Sequence, residues 1–220
     1  MLKLNKSTGE KIDRSLIADQ VYRILKRNIL DGKLLPNTRL IELHLAEAFN
    51  LSRAPIREAL ANLEHSGLVY RRKQYRYVQE ITDKHIIENY QAWQMVEGFG
   101  GQIACKDSKK KDIEQLENIY NLMEHNINNL SEYRGLNYKF HKYLIIPCHN
   151  TIIKKYHTQI LTHVQWVMNI TISDILDPKI SICEHKNILD AFKEKDILAL
   201  EKNIRSHIGG ALERARNRYS

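Results

Sequence analysis

The chain has 220 residues, enough for two modest domains with their own cores, and its formal net charge is +8. It has no apolar run near the length of a membrane span, no secretory-type N-terminus and no CxxC pair among its three cysteines, so we expect a cytoplasmic protein with reduced thiols. The charge is concentrated in residues 1–80, where 15 Lys and Arg face 9 Asp and Glu, as a phosphate-binding surface requires.

The first predicted element is a helix. Residues 1–14 are polar and basic, and we expect them to be a disordered tail. A helix should follow from Leu16 to Leu30 and end at Gly32, with residues 34–40 as a connector. Four apolar residues should pack inward: Ile17, Val21, Ile24 and Leu25.

The pattern from Glu42 to Gly67 predicts two short helices joined by a tight turn. Asn50 tolerates the left-handed conformation that ends the first helix, and Ser52 is a suitable N-cap for the second. Pro55 falls in the first turn, where a missing N–H costs little. Two apolar stripes mark the faces expected to be buried: Leu43, Ala46 and Phe49, then Ile56, Leu60 and Leu63.

Two arginines, Arg53 and Arg57, lie one turn apart near the start of the second helix. A helix–turn–helix reads bases in the major groove from this position. An ordinary helical hairpin with two solvated arginines would show the same spacing. Two β-prone segments follow, at residues 68–70 and 75–78, and predict a short hairpin with a basic turn. This hairpin, the wing, would offer phosphate contacts from Arg72, Lys73 and Arg76; the alternative is a plain surface hairpin with a charged turn.

The segment LSRAPIREALANLEHSGLV resembles the DNA-binding signature of the GntR family of bacterial transcription regulators. Upstream, Gly32 to Leu40 resembles that family's G-x-L-x-P-G-x-R-L segment, with Asn37 in place of the second glycine. The resemblance covers roughly residues 15–82. It implies a winged helix–turn–helix in which four residues contact DNA: Arg39, Ser52, Arg53 and Arg57. Wings of this family usually carry a glycine near the tip, where this chain has Tyr75.

From Thr82 onward the pattern is helical throughout, which predicts an all-α six-helix bundle. The expected helices are 83–106, 110–129, 131–147, 150–174, 178–193 and 196–218. Glycines 98, 100 and 101 lie inside the first of these helices. Each glycine destabilises a helix by about 1 kcal/mol relative to alanine. Either a close helix–helix approach or space for a ligand would offset that penalty.

This half resembles the FCD ligand-sensing domain of the FadR-like GntR subfamily in four fragments, residues 90–97, 137–141, 184–191 and 204–208. In that family an Asp and three His bind a divalent metal beside a small-molecule effector. The resemblance implies a metal site here, of the Zn, Ni or Mn class, made by Asn137, His141, His185 and His207. Asn137 and His141 are four residues apart and so share a helix face. With ten histidines in the chain, three that fit a motif can also arise by chance.

Two departures from the family pattern bear on the ligand. Asn137 offers a neutral amide oxygen where the family has a carboxylate, which should weaken binding of a dication. Trp93 replaces an arginine of the family's effector pocket, which we place at Trp93 and Glu97. An aromatic or more apolar ligand therefore becomes more plausible, although a helical Trp is commonly a core residue.

The sequence thus predicts a mainly α protein with a winged helix–turn–helix at residues 1–80 and an all-α effector-binding and dimerisation domain at residues 81–220. It indicates a ligand-responsive repressor that binds a palindromic operator as a homodimer and responds to an organic acid near the metal. Two other functions fit the same residues: a metal-dependent enzyme, and a constitutive DNA-binding protein with a structural helical half. No Ser/His/Asp order, phosphate loop or dinucleotide fingerprint supports the enzyme.

Overall fold

A computed structural model of the chain describes residues 14–171 and 177–216. The chain divides into two compact units, residues 1–79 and 80–220. The tail expected at residues 1–14 lies outside the described residues, except that Arg14 begins the first helix.

The first unit is a helical cluster with a small antiparallel sheet. Its helices are α1 (Arg14–Leu30), α2 (Glu42–Phe49) and α3 (Arg53–His65). Its strands are β1 (Arg39–Leu40), β2 (Val69–Arg72) and β3 (Tyr75–Val78), in the order β1-β3-β2. The predicted wing hairpin is therefore present, and a third strand that the sequence did not predict extends it on the far side of β3.

The buried face of α1 differs from the predicted one. Ala18, Val21, Leu25 and Ile29 are buried, whereas Ile24 is 46% exposed. Each residue advances about 100° around a helix, so Ile24 lies about 100° away from the stripe that contains Leu25. The apolar composition was predicted correctly, but Ile24 was assigned to the wrong face.

The turn between α2 and α3 has the predicted geometry. Asn50 is left-handed (φ 51°, ψ 46°), and Ser52 occupies the N-cap position of α3, although its side chain makes no capping hydrogen bond. Ile56, Leu60 and Leu63 are fully buried. On α2 the prediction was wrong for Leu43, which is 51% exposed, while Ala46 is buried. An eight-residue helix packed mainly against α3 buries too narrow a stripe to include it.

The second unit is helical throughout its described residues, which confirms the predicted fold class. Its helices are α4 (Asp83–Asp107), α5 (Lys110–His125), α6 (Leu130–Leu144), α7 (Thr151–Thr171), α8 (Pro178–Glu194) and α9 (Ile197–Arg216). Side-chain caps begin several of them: the Thr82 hydroxyl accepts from the His85 N–H, and Asp177 accepts from the N–H groups of residues 179 and 180. The predicted ends at residues 174 and 218 lie outside the described residues. No helix in ranges 14–171 and 177–216 has the length and apolarity to cross a membrane.

Helix α4 packs against α7 and α9, and two of its glycines allow the close approach. A Cβ at Gly100 would lie 2.8 Å from Ile153 Cγ2 on α7, and a Cβ at Gly101 would lie 2.9 Å from Ile204 Cδ1 on α9. At Gly98 the nearest atom would be 3.9 Å away, an ordinary contact. The glycines at 100 and 101 therefore serve helix packing, and Gly98 does not need to be glycine.

Alanine substitutions at these glycines should separate the two effects. Gly98→Ala should stabilise the helical unit by up to about 1 kcal/mol, because helix propensity improves without a clash. Gly100→Ala should be less stable than Gly98→Ala by about 1–3 kcal/mol, because the Ile153 methyl is attached directly to a rigid Cβ. Urea unfolding followed by tryptophan fluorescence is the measurement, since Trp93 and Trp166 both lie in this unit. Equal stabilities for the two variants would contradict the packing role.

Candidate nucleic-acid interface and metal centre

The residues predicted to contact DNA lie on α3, on β1 and on the wing. Arg53 and Arg57 project from the first turns of α3, with side chains 59% and 61% exposed. Ser52, Arg39, Arg72 and Lys73 are exposed as well. The wing turn is made by Lys73 and Gln74, and Lys73 itself takes the left-handed conformation (φ 57°) that a glycine would ordinarily supply.

Tyr75, at the usual glycine position, begins β3 and supports an arginine. The guanidinium of Arg39 lies 3.3 Å from the centroid of the Tyr75 ring. The guanidinium of Arg72, on the neighbouring strand β2, lies 4.7 Å from the ring of Tyr77 on β3. Arginines stacked on aromatic rings lose little further freedom when they bind a phosphate or a base. The tyrosines of the wing thus position two cations.

A single carboxylate, that of Glu42 at the start of α2, connects the arginines of α3. Its Oε2 accepts from Arg53 Nη2 at 3.3 Å and from Arg57 Nη2 and Nε at 3.2 and 3.3 Å. Its Oε1 accepts from Arg76 Nη1 at 3.0 Å. Partial burial raises the pKa of Glu42, but these guanidinium groups outweigh it and lower the pKa below its ordinary value. The carboxylate is therefore ionised at neutral pH.

Arg76 differs from the other predicted phosphate contacts because its side chain is only 10% exposed. Besides Glu42, it donates from Nε to Glu64 Oε2 at 3.0 Å, and Glu64 also pairs with Arg71. Arg76 thus joins β3 to α2 and α3. This geometry favours a positioning role within the first unit over the phosphate contact expected from the sequence.

The second cluster consists of three buried imidazoles from three helices: His141 on α6, His185 on α8 and His207 on α9. His141 Nε2 lies 3.2 Å from His185 Nε2 and 3.2 Å from His207 Nε2. The three potential ligand atoms all lie within 4.8 Å of one another. Tetrahedral coordination with bonds of about 2.0–2.1 Å places ligand nitrogens about 3.3 Å apart, so the spacing suits a metal ion.

The opposite nitrogen of each imidazole has an acceptor of its own. His141 Nδ1 lies 2.7 Å from Glu97 Oε1, and His207 Nδ1 lies 2.6 Å from Glu184 Oε2. His185 Nδ1 lies 2.6 Å from the carbonyl oxygen of Ser181, which can only accept. Donation to these acceptors fixes the proton on Nδ1. In all three rings Nε2 is then unprotonated and carries a lone pair.

The electrostatics of this centre favour a cation between the three rings. Burial lowers the pKa of His207 and lowers that of His185 well below its ordinary value, so both rings are neutral at pH 7. Three converging lone pairs repel one another unless a proton or a metal ion lies between them. The donor set of neutral imidazoles therefore fits a divalent ion of the predicted class.

Asn137, the fourth predicted ligand, lies one helical turn before His141 and is 4% exposed. Among the described residues its Oδ1 has no hydrogen-bond partner. A buried amide oxygen without a partner is unfavourable by about 1–3 kcal/mol, and a metal ion or its water shell would satisfy it.

Trp93 and Glu97, predicted to line an effector pocket, lie on α4 beside the histidine cluster. The Trp93 indole N–H donates to Glu97 Oε2 at 2.6 Å, and its ring lies edge-on to His141 at 4.7 Å. Glu97 is fully buried, and His157 Nε2 lies 2.8 Å from its Oε2. Burial raises the pKa of Glu97, but its contacts with the two histidines lower it well below the usual range. Glu97 is therefore a carboxylate inside the bundle.

Several residues of these two sites were not predicted from the sequence: Glu42, Glu64, His157, Ser181, Glu184 and Arg214. Glu184 precedes His185 in the chain, but its carboxylate contacts His207 on the next helix. Arg214 then donates from Nη2 to Glu184 Oε2 at 3.3 Å. These partners are polar residues at positions without periodicity, so only the structure identifies them.

Comparison with known proteins agrees with both halves. Residues 17–77 match the family of bacterial regulatory proteins described as the gntR family, and residues 88–210 match the FCD domain. The transcriptional regulator YdhC of Bacillus subtilis is 28% identical over 86% of each chain. The transcriptional repressor RspR of Escherichia coli is 26% identical over 87% of this chain and 86% of its own. The solved structure of E. coli McbR/YncC superimposes with a TM-score of 0.75 at 19% identity, over 93% of this chain and 99% of that one.

The interpretation of Arg76 leads to a stability prediction. Arg76→Ala should destabilise the first unit by about 1–3 kcal/mol, because Glu42 and Glu64 lose a shared partner. Arg71→Ala, which removes an exposed partner of Glu64, should change stability by less than about 1 kcal/mol. Hydrogen exchange of the β2 and β3 amides measures this locally. Equal protection in the two variants would show that Arg76 does not join the strand to the helices.

Proposed function

The chain belongs to the GntR family of bacterial regulatory proteins and carries an FCD domain, so it is a DNA-binding transcriptional regulator and not an enzyme; we propose that it is a repressor that binds a palindromic operator as a homodimer and responds to an organic acid held near a divalent metal. We assign residues 1–80 to DNA binding and residues 81–220 to effector binding and dimerisation. The convergence of the three histidine Nε2 atoms is the observation that carries the sensory part of this proposal.

For DNA, α3 acts as the recognition helix. Arg53 and Arg57 are exposed at its N-terminal end, from which base edges are read in the major groove. The phosphate contacts come from the cations and the hydroxyl around it: Arg39, Ser52, Arg72 and Lys73. One recognition helix reads only a few base pairs, so two copies of the chain on a symmetric site supply the required specificity.

Exposed apolar side chains support association with a second copy. Met95 and Phe99 are exposed on α4, and Ile152 and Tyr156 are exposed on α7, the helix that packs against α4. Large exposed apolar residues on two adjacent helices are typical of a protein–protein interface. Native mass spectrometry should show a dimer, and a footprint should protect two half-sites about one helical turn apart or closer. A protected single half-site with one chain bound would contradict the dimer.

Two substitutions, one of an arginine and one of a lysine, should separate base reading from phosphate binding. Arg57→Ala should weaken binding to the preferred duplex by about 1–3 kcal/mol and relax base preference, because it removes hydrogen bonds to base edges. Lys73→Ala should weaken binding to all duplexes about equally and reduce the salt dependence. Binding series over a range of salt concentrations measure both. The same change in preference and salt slope for the two variants would overturn this assignment.

In the helical unit, Asn137, His141, His185 and His207 are the residues that would hold the metal. A bound dication would supply a positive, open coordination position for an effector carboxylate. The four ligands carry no charge, but Glu97 and Glu184 lie directly behind His141 and His207. With Arg214 paired to Glu184, these groups cancel one of the two charges of a dication. The remaining positive charge favours an anionic effector even though Trp93 replaces the family's arginine.

The metal and the effector response should depend on the same residues. His141→Ala should lose the metal and the effector response together while retaining DNA binding. Asn137→Asp should bind metal more tightly but an anionic effector more weakly, because the protein then supplies a negative charge. Metal should be released as the pH falls below about 6, since protonated imidazoles cannot coordinate it.

Metal analysis and gel shifts with candidate organic acids measure these effects. Native mass spectrometry of the purified protein shows metal, metabolite and dimer together. A metal-free preparation that responds to the effector with unchanged affinity would overturn the proposal. A gel shift that no candidate metabolite alters would favour a constitutive DNA-binding protein.

A further inference from the structure

The cleft between the wing and α2 is lined by one carboxylate, while its other charged lining residues are arginines. The cleft has a volume of about 280 Å³, and Arg39, Arg53, Tyr75 and Arg76 are among its lining residues. Glu42 also lines it, with its side chain 20% exposed. A carboxylate at this place repels DNA phosphates, so its presence in a DNA-binding surface requires an explanation.

The two oxygens of Glu42 serve different partners. Oε1 is held from the inside by Arg76, which Glu64 holds in turn. Oε2 faces the exposed side and accepts from both arginines of α3. The inner ion pairs therefore fix the carboxylate, and the fixed carboxylate orients Arg53 and Arg57.

The contact with Arg57 uses one particular edge of the guanidinium. Nε and Nη2 both point to Glu42 Oε2, at 3.3 and 3.2 Å. The N–H groups at the end of the fork stay available, and this end is the one that pairs bidentately with guanine O6 and N7. An arginine anchored in this way can read a base without leaving its carboxylate.

We propose that Glu42 is a specificity-determining residue: it holds Arg53 and Arg57 in a base-reading orientation and cancels part of their attraction for phosphate. Attraction to phosphate depends on net charge and does not depend on sequence, so a fixed carboxylate weakens it. Hydrogen bonds to a base edge depend on direction, which the carboxylate preserves. Discrimination thus comes partly from a repulsive element within the interface. This role rests on the proposed DNA contacts of Arg53 and Arg57.

The test compares Glu42→Gln with Glu64→Gln. Both variants remove one negative charge and one partner of Arg76, but only Glu42 touches the arginines of α3. Each full-length protein is titrated with two duplexes of equal length: one selected from a randomised library by the wild-type protein, and one with that sequence scrambled. Salt is varied around 0.15 M, on the order of physiological ionic strength.

Glu42→Gln should bind the scrambled duplex about 3–10-fold more tightly and steepen its salt slope by about one, because the arginines become available to phosphate. It should bind the selected duplex no more tightly, so the preference falls at least about threefold. Glu64→Gln should keep the preference within about twofold. In a background that carries both Arg53→Ala and Arg57→Ala, the effect of Glu42→Gln on the preference should shrink below about twofold, because the carboxylate acts through these two arginines.

Equal preferences for Glu42→Gln and Glu64→Gln, or an equal loss of both duplexes in Glu42→Gln, would overturn the role of Glu42. Glu42→Ala, measured in parallel, carries the same change in charge and keeps the test independent of whether one variant folds. A wild-type protein that selects no duplex would overturn base reading by α3, and the role of Glu42 with it. If the wild-type protein selects a duplex but the variants do not show the expected changes in preference for it, only the role of Glu42 is overturned.

Discussion

The helical unit depends on one electrostatic constraint, the convergence of three imidazole lone pairs in the buried interior of the bundle. Each ring is oriented by an acceptor on its other nitrogen, supplied by α4 for His141 and by α8 for the other two. The ring on α6 can reach the rings of α8 and α9 only if these helices hold their mutual positions. A bundle built in this way carries unfavourable repulsion at its centre, which a cation relieves. A metal ion held by the three rings would therefore link metal binding to the folding of this unit.

The two units treat ionised carboxylates differently. In the first unit Glu42 is shared by three guanidinium groups near the surface. Solvent weakens each of these ion pairs, so their main effect is to orient the side chains. In the second unit Glu97 is fully buried and receives three N–H donors, from Trp93, His141 and His157. Such a carboxylate remains charged only because its partners replace water. In the first case the carboxylate orients side chains for an outside partner, and in the second it fixes a ligand of the centre.

The helices and the histidine cluster were predictable from the sequence, and the charged partners were not. Periodicity, caps and glycines locate helix ends within a few residues, as at Thr82 and Asp177. The errors have physical causes: Ile24 lies beside the buried stripe, Leu43 belongs to a helix with little contact area, and β1 forms only by pairing with a distant strand. His157 and Glu42 are unpredictable in a stricter sense. Their partners lie 60 and 11–34 residues away, and nothing local marks them.

The two departures from the family pattern beside the histidine cluster remove charges of opposite sign, so the two replacements are electrostatically compatible with each other. Asn137 in place of an aspartate removes one negative charge from the ligand set, and Trp93 in place of an arginine removes one positive charge from the pocket. The two replacements together leave the net formal charge unchanged, but they alter its distribution. In the proposed sensor a bound dication would supply the positive charge for an effector, while Trp93 donates its N–H to Glu97 and packs against His141. The proposed sensor therefore depends on its metal more strongly than one that keeps both charged residues, since no arginine at position 93 remains to hold the anion.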